Sequence, residues 1–149
     1  MFLTSTGDVL FNSAWKTYGN GKNGENCCAL SIQKAFKNEF DHWFKLNTRW
    51  ADMDSMGHIN HASYLNYMET ARVDYFFHLG LPNIHLNRKN SVILGSVKIS
   101  YYGQSNHPSR FNIGHRVSRV GDKSFDLLTG IFLNDKINPI CVATFKMVS

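Results

Sequence analysis

The chain has 149 residues, 43% hydrophobic and 18% charged, which is typical of one globular domain with its own core. The net charge of +5 favours anionic partners, but the basic side chains are scattered and match no nucleic-acid-binding motif, so nucleic acid is not expected. The three cysteines form no C-x-x-C pair, and no stretch approaches the roughly 20 apolar residues of a membrane span. No secretory signal is evident, so we expect a cytoplasmic protein.

The first part of the chain differs in composition from the rest. It is rich in Asn, Gly, Ser and Thr, and the stretch "YGNGKNGEN" is typical of a loop. We therefore expect residues 1–38 to be an extension of unknown role, and residues 39–149 to form the domain. The apolar residues Leu30, Ile32, Phe36 and Phe40 allow a short helix between residues 28 and 40.

A strand and a long helix are predicted next. The aromatic-rich segment 40–50 alternates as a strand does. Residues 61–79 carry apolar side chains at helical spacing, with Asn60 as an N-cap and Gly80 and Pro82 ending the helix. Because Tyr67, Val73 and Phe77 add apolar side chains outside the main stripe, we expect this helix to be buried on nearly every side, wrapped by a sheet.

The remainder of the chain is strand-like. Four strands are predicted over residues 91–102, 110–120, 124–133 and 139–148. The last three are joined by connections short enough for antiparallel hairpins, 121–123 and 134–138. Gly95 lies in the middle of a strand and indicates close approach of another backbone, for which the helix is the candidate. One strand, a helix and then four strands predict an α+β fold with segregated elements.

The stretch "DMDSMGHINHASY", residues 52–64, concentrates the side chains that could carry chemistry. A calcium-binding EF-hand loop is excluded, because Met56 stands where such a loop needs Asp or Asn and Ser63 stands where it needs Glu. A transition-metal site could use Asp54, His58 and His61, but the two histidines are three residues apart rather than four and lie on either side of the helix start. We therefore expect no metal.

Two interpretations of this stretch remain. In the first it is a polar capped loop, with Asp54 capping a turn, Gly57 at a positive φ and solvated histidines. In the second it is an active-site loop, because a carboxylate beside the N-terminus of a buried helix lies near unpaired backbone N–H groups. Those N–H groups suit an oxyanion, and the carboxylate could act as base or nucleophile. The nearly all-apolar helix favours carbonyl chemistry.

The segment "RWADMDSMGHINHASYLNYMETARVDYF", residues 49–76, strongly resembles the 4-hydroxybenzoyl-CoA thioesterase-like branch of the hotdog superfamily. The resemblance extends more loosely over residues 40–149. It implies a hotdog fold, in which a curved antiparallel sheet wraps a long helix, and homodimers or homotetramers with active sites at subunit interfaces. The implied reaction is hydrolysis of an acyl-CoA thioester without metal or cofactor. The chain departs from the family in residues 101–108, where the loop before the proline is longer; this loop is expected near the ligand entrance.

The resemblance also implies roles for individual residues. Asp54 would be the catalytic carboxylate, as general base or nucleophile, and the backbone N–H of His61 would hold the oxyanion. Gly57 would let the loop approach the thioester closely. Asp52 is expected to order the loop rather than to act as a second catalytic carboxylate.

Six further residues are candidates for contact with substrate: His58, Asn60, Tyr64, Glu69, Lys123 and Ser124. His58 and Asn60 are expected mainly to fix the loop and cap the helix, and Tyr64 is expected in the core rather than on the ligand. Glu69 is expected to form a buried pair with Arg72, with a direct substrate role as the alternative. Lys123 and Ser124 are the best candidates for the CoA phosphates, ahead of three arginines, Arg110, Arg116 and Arg119.

Two rivals to a thioesterase are considered. A hotdog hydratase or dehydratase would show a different arrangement of Asp and His. A non-catalytic domain that binds acyl-CoA or an acyl carrier shares the fold, and fold alone does not give activity. Asp54 favours the hydrolase, because an acyl sensor needs no carboxylate beside the thioester.

Overall fold

The computed structural model describes residues 37–81, 91–134 and 136–148. Its elements are β1 (His42–Asn47), α1 (His61–His78), β2 (Ile93–Tyr101), β3 (Arg110–Val120), β4 (Ser124–Leu133) and β5 (Cys141–Val148), with short 3-10 turns at Lys37–Glu39 and Trp50–Asp52. The helix proposed for residues 28–40 and the extension 1–38 lie outside the described residues, apart from residues 37–40. One helix on an antiparallel sheet confirms the predicted α+β hotdog fold.

The five strands form one sheet in the order β1-β3-β4-β5-β2, and every neighbouring pair is antiparallel. The β3–β4 and β4–β5 pairs confirm the two predicted hairpins. Although β2 precedes β3 in the chain, it lies at the far edge, beside β5. Both the end of β1 and the start of β3 therefore lie at one end of the sheet, and the β3–β4 hairpin lies at the other.

Helix α1 packs on one face of the sheet and forms the main core with it. Tyr64, Met68, Ala71 and Tyr75 are buried along this contact. The expectation of burial on nearly every side is wrong, because Val73 and Phe77 on the opposite side of the helix are 43% and 55% exposed. A single sheet layer covers only one side of a helix. No helix in the described ranges is long and apolar enough to cross a membrane.

The outer face of the sheet holds a smaller cluster around Phe40, the residue that leads into β1. Gly114 of β3 pairs with Gly130 of β4, and the Phe40 ring lies over both. A Cβ atom added at Gly114 would lie 2.6 Å from the ring, and one added at Gly130 would lie 2.8 Å from it. The two glycines thus create the hollow that Phe40 fills.

Gly95 also has a close neighbour, but not the predicted one. A Cβ atom there would lie 2.8 Å from the Val148 side chain and 3.4 Å from the Lys146 carbonyl, both on β5. The β2–β5 register shifts at this point, between Leu94 and Ser96. The glycine therefore accommodates a bulge against the neighbouring strand and not the approach of the helix.

Candidate active site

The loop between β1 and α1 folds back on itself around Gly57. The Asp54 N–H donates to the His58 carbonyl at 2.8 Å, and the Gly57 N–H donates to the Asp54 carbonyl at 3.1 Å. Met53 and Ile59 form an antiparallel bridge at the base of this turn. Gly57 has a φ of 75°, a left-handed conformation that glycine adopts without steric cost, as predicted.

The Asp54 carboxylate uses one oxygen to hold the turn. Its Oδ1 accepts hydrogen bonds from the backbone N–H groups of Met56 at 2.9 Å and His58 at 3.3 Å. Within the described residues, Oδ2 has no hydrogen-bond partner, and the side chain is partly exposed. The carboxylate is therefore fixed in orientation while its second oxygen stays available.

The start of α1 leaves one N–H group for a ligand. The Asn60 side chain accepts a hydrogen bond from the Ala62 N–H at 2.9 Å, so the predicted N-cap is confirmed. The Asn60 carbonyl accepts from the Ser63 N–H at 2.9 Å. The N–H of His61 donates to no group in ranges 37–81, 91–134 and 136–148, whereas its neighbours are paired. An unpaired N–H in a helix's first turn attracts negative charge.

Asp52 anchors this loop to the helix, as expected. Its buried carboxylate accepts hydrogen bonds from Arg49, at 2.9 and 3.0 Å, and from the Tyr67 hydroxyl at 2.6 Å. Its carbonyl accepts from the Asn60 N–H at 2.8 Å. The Arg49 hydrogen bond lowers the pKa of Asp52 despite burial, and burial raises the pKa of Tyr67. Asp52 is therefore an ionised structural group with both oxygens occupied.

Residues 101–107 brace the loop from the other side, which the sequence did not predict. The Ser105 carbonyl accepts from the Ile59 N–H at 2.8 Å, and the His107 N–H contacts the Met53 sulfur at 3.4 Å. The Tyr101 hydroxyl donates to the His61 carbonyl at 2.9 Å. In the sequence, only the unusual length of this segment relative to the family pattern distinguishes it. Its contacts with the loop could not be predicted, because the residues that it contacts lie about 40 or more positions away in the chain.

The other candidates do not gather around Asp54. Tyr64 is a core residue, as expected: its ring stacks on Phe111 and burial raises the pKa of its hydroxyl to about 12. Glu69 lies 3.4 Å from Arg72, but the predicted buried pair is only half buried, since the Arg72 side chain is 9% exposed and that of Glu69 67%. The arginine lies over the Phe145 ring, while the glutamate extends away from the core.

Lys123 and Ser124 are far from the loop within one chain. They lie at the β3–β4 hairpin, whereas Asp54 follows the end of β1, which pairs with the start of β3. The 11 residues of β3 separate the two ends by roughly 33 Å. A single chain therefore does not bring these two residues to Asp54.

No group of three or more His, Cys, Asp or Glu side chains in the described parts of the chain is arranged to hold a metal ion. The side chain of His61 is exposed and that of His58 is partly exposed. The loop itself holds a carboxylate fixed by two backbone N–H groups and, at His61, a backbone N–H without an acceptor in the described parts of the chain.

Comparisons with known proteins identify the family of this chain. Residues 48–149 match the family model of the thioesterase-like superfamily. The chain is 26% identical over 92 residues to the uncharacterized protein YsmA of Bacillus subtilis, a match that spans 62% of this chain and 61% of YsmA.

The solved structures to which this chain is similar include thioesterases. The PA2801 protein of Pseudomonas aeruginosa, described as a putative thioesterase, is 26% identical with a TM-score of 0.66, covering 72% of this chain and 82% of its own. A thioesterase of Thermus thermophilus, complexed with coenzyme A and Zn, shares the fold at 21% identity and a TM-score of 0.65, covering 73% of this chain and 83% of its own. Since the family model spans more than half of the residues, this chain belongs to the thioesterase-like superfamily.

Proposed function

We propose that this protein hydrolyses acyl-CoA thioesters to a free acid and CoA. The observation that carries the proposal is the pairing of Asp54 with the start of α1. One carboxylate oxygen is fixed by two backbone N–H groups. Among the described residues the other oxygen has no hydrogen-bond partner, and the His61 N–H to which the loop leads has no acceptor. Membership of the thioesterase-like superfamily supports the same reaction.

In the general-base route, Asp54 removes a proton from water while the water oxygen attacks the thioester carbonyl carbon. The carbonyl oxygen becomes negative and accepts a hydrogen bond from the His61 N–H, which stabilises it as an oxyanion. When the C–S bond breaks, the protonated Asp54 returns the proton to the leaving thiolate. The products are an acid and free CoA, and the carboxylate is restored.

In the nucleophilic route, an Asp54 oxygen attacks the carbonyl carbon and CoA leaves as the thiolate, forming a mixed anhydride. Water then cleaves the anhydride. Label found in Asp54 after hydrolysis in ¹⁸O-labelled water identifies the nucleophilic route, because water that attacks the aspartyl carbonyl of the anhydride leaves its oxygen in the protein. The remaining loop residues support either route: Gly57 allows the turn, and His58 and Asn60 hold it through their backbone and cap contacts.

The proposed enzyme works as a homodimer in which two β2 edges pair. Ile93, Leu94 and Val97 on β2 and Phe77 on α1 are all exposed in the single chain. An unpaired, apolar edge strand is a template for pairing with another strand. Antiparallel pairing of two β2 strands places the Ile93 end of one copy beside the Tyr101 end of the other.

This arrangement also brings the β3–β4 hairpin of one copy to the end of the sheet at which Asp54 of the other copy lies. The hairpin lies at the Ile93 end of the sheet, because both Ile93 and Ser124 pair with Val148. In the dimer, the second copy's Lys123 and Ser124 thus lie at the same end as the first copy's Asp54. There they contact the diphosphate of CoA, and the site is complete only when both copies are present.

The test is thiol release from a panel of acyl-CoAs by the wild type and by Asp54→Asn. We expect turnover by the wild type and a loss of at least about a hundredfold in kcat for the variant, with its oligomeric state unchanged. Asp74→Asn is the matched control, since it removes a helix carboxylate distant from the loop while its amide oxygen can still bond His42. A wild type that binds an acyl-CoA tightly but releases no thiol would refute hydrolysis and favour a binding domain.

A further inference from the structure

The direction of the His61 N–H depends on the two peptide groups that meet at the His61 Cα atom. In the first, the Asn60 carbonyl accepts a hydrogen bond from the Ser63 N–H at 2.9 Å. In the second, the Ala62 N–H donates to the Asn60 side chain at 2.9 Å. Because each peptide group is planar, the N–H changes direction only if one of these groups rotates. Residues close in sequence therefore hold three of the contacts that matter only in part: they leave the His61 carbonyl to be held from elsewhere.

The His61 carbonyl is held by a residue of the sheet. The Tyr101 hydroxyl donates to this oxygen at 2.9 Å, across 40 positions of the chain. Tyr101 is the last residue of β2, whereas the other contacts described above come from within two positions of His61. The hydroxyl therefore ties the first turn of α1 to the end of a strand.

Tyr101 is itself held in place on two sides. Its backbone pairs with that of Cys141 in the β2–β5 ladder. Its ring meets the Tyr64 ring edge to face at 5.7 Å, and Tyr64 is buried and stacks on Phe111. Burial raises the pKa of Tyr101, so the hydroxyl keeps its proton at neutral pH and can donate it to a carbonyl. The donor is therefore fixed relative to the core.

A second contact from the same segment holds the loop just before the helix. The Ser105 carbonyl accepts a hydrogen bond from the Ile59 N–H at 2.8 Å. Residues 101–105 therefore hold the chain on both sides of the Asn60 cap. An oxyanion donor must lie about 2.7–3.1 Å from the position that the charged oxygen will occupy, so a small rotation of its peptide group weakens the interaction.

We propose that Tyr101 is a positioning residue for the hydrolysis, and that its hydroxyl holds the start of α1 so that the His61 N–H faces the developing oxyanion. This inference rests on the proposed function and adds a residue that acts through the backbone without touching the substrate. It also gives β2 a second role. Tyr101 is 42% exposed in the single chain, and in the proposed dimer the Ile93 end of the second copy lies beside it and shields this hydrogen bond from water.

The kinetic test is Tyr101→Phe, which removes the hydroxyl and keeps the ring on Tyr64. We expect kcat to fall about five- to tenfold while KM stays within about twofold and the oligomeric state is unchanged. A residue that merely stabilised the loop would change KM as well. Tyr102→Phe is the matched control, because Tyr102 is 44% exposed and takes no part in the hydrogen bonds of residues 59–61 in the described ranges. Wild-type kcat in Tyr101→Phe, or a KM that rises as much as kcat falls, would overturn the proposal and leave hydrolysis intact.

Calorimetric titration tests the same role without turnover. S-trifluoroacetonyl-CoA carries an electrophilic ketone that adds water to give a tetrahedral centre, and S-propyl-CoA has the same chain length without that oxygen. We expect the wild type to prefer the ketone, and Tyr101→Phe to bind the ketone about fivefold more weakly while its affinity for S-propyl-CoA is unchanged.

The two proposals fail in different ways. If no thioester is hydrolysed, the proposed function fails, and the titration still decides whether Tyr101 orients the His61 N–H. Equal losses for both ligands in Tyr101→Phe, or no loss for either, would refute the positioning role. A wild type that does not prefer the ketone would refute it too, because the N–H would then hold no oxygen.

Discussion

The burial of His115 in the folded chain predicts that the protein loses stability steeply in mild acid. His115 lies in the middle of β3 and is fully buried, with its ring stacked 5.7 Å from that of Tyr75. Its Nδ1 lies 2.8 Å from the Thr129 hydroxyl, whereas its Nε2 is buried and has no hydrogen-bond partner among the described residues. Burial lowers the pKa of His115 to about 3, and electrostatic interactions with His42 and Arg72 act in the same direction. The folded protein therefore holds this imidazole neutral.

The direction of this pH dependence follows from the number of protons that the folded and the unfolded chain bind. An unfolded histidine has a pKa of about 6.5, so below that pH the unfolded chain binds a proton that the folded chain does not. The stability that the neutral His115 contributes is fully present above about pH 6.5 and is lost progressively as the pH falls towards 3. Between pH 7 and pH 5 this single group should lower the free energy of unfolding by about 2 kcal/mol. That is a large fraction of the stability of an ordinary domain.

The assay is chemical denaturation of the wild type and His115→Gln at both pH values. The wild type should lose about 2 kcal/mol more than the variant between pH 7 and pH 5, whatever the variant costs at pH 7. His78→Gln is the control, because His78 is exposed near the end of α1 and its removal should leave the wild-type loss in place. The reasoning is refuted if His115→Gln loses as much stability as the wild type, or if NMR shows the His115 ring titrating near pH 6.5.

Two local predictions follow from the cap and from the outer face. Asn60→Ala should lower the free energy of unfolding by about 1 kcal/mol in a denaturant titration, since the Ala62 N–H loses its acceptor; an unchanged midpoint would contradict the cap. Gly130→Ala should cost about 1–3 kcal/mol, because its Cβ would meet the Phe40 ring at 2.8 Å. The double variant with Phe40→Ala should recover part of that loss, and simple additivity of the two costs would argue against the contact.

The elements that sequence could predict are those specified by near neighbours. The helical spacing of residues 61–79 and the strand patterns give elements within a few residues of those observed. The Asn60 cap and the positive φ of Gly57 depend only on adjacent backbone, and both are confirmed. Local geometry of this kind is specified by residue type at each position.

Features that depend on which strands become neighbours could not be predicted in the same way. The sequence pattern predicts that Gly95 in β2 approaches the helix, but its neighbour is Val148, because β2 pairs with the last strand. Likewise, nothing in the sequence indicates that Phe40 lies over Gly114 and Gly130, since that contact needs β3 and β4 to be paired in register. Such contacts join residues far apart in the chain.

The strand order also explains why the motif of a single chain supplies only half of the proposed site. The motif runs through one continuous stretch, so it places Asp54 beside the helix start without knowledge of the sheet. The carrier-binding candidates Lys123 and Ser124 are about 70 residues further on, and β3 carries them to the opposite end. With β2 at the edge, antiparallel pairing of two copies reverses that separation, whereas any parallel pairing would preserve it. The proposed activity therefore requires a two-fold dimer through β2, and a monomeric variant with β2 blocked should retain its fold but lose turnover.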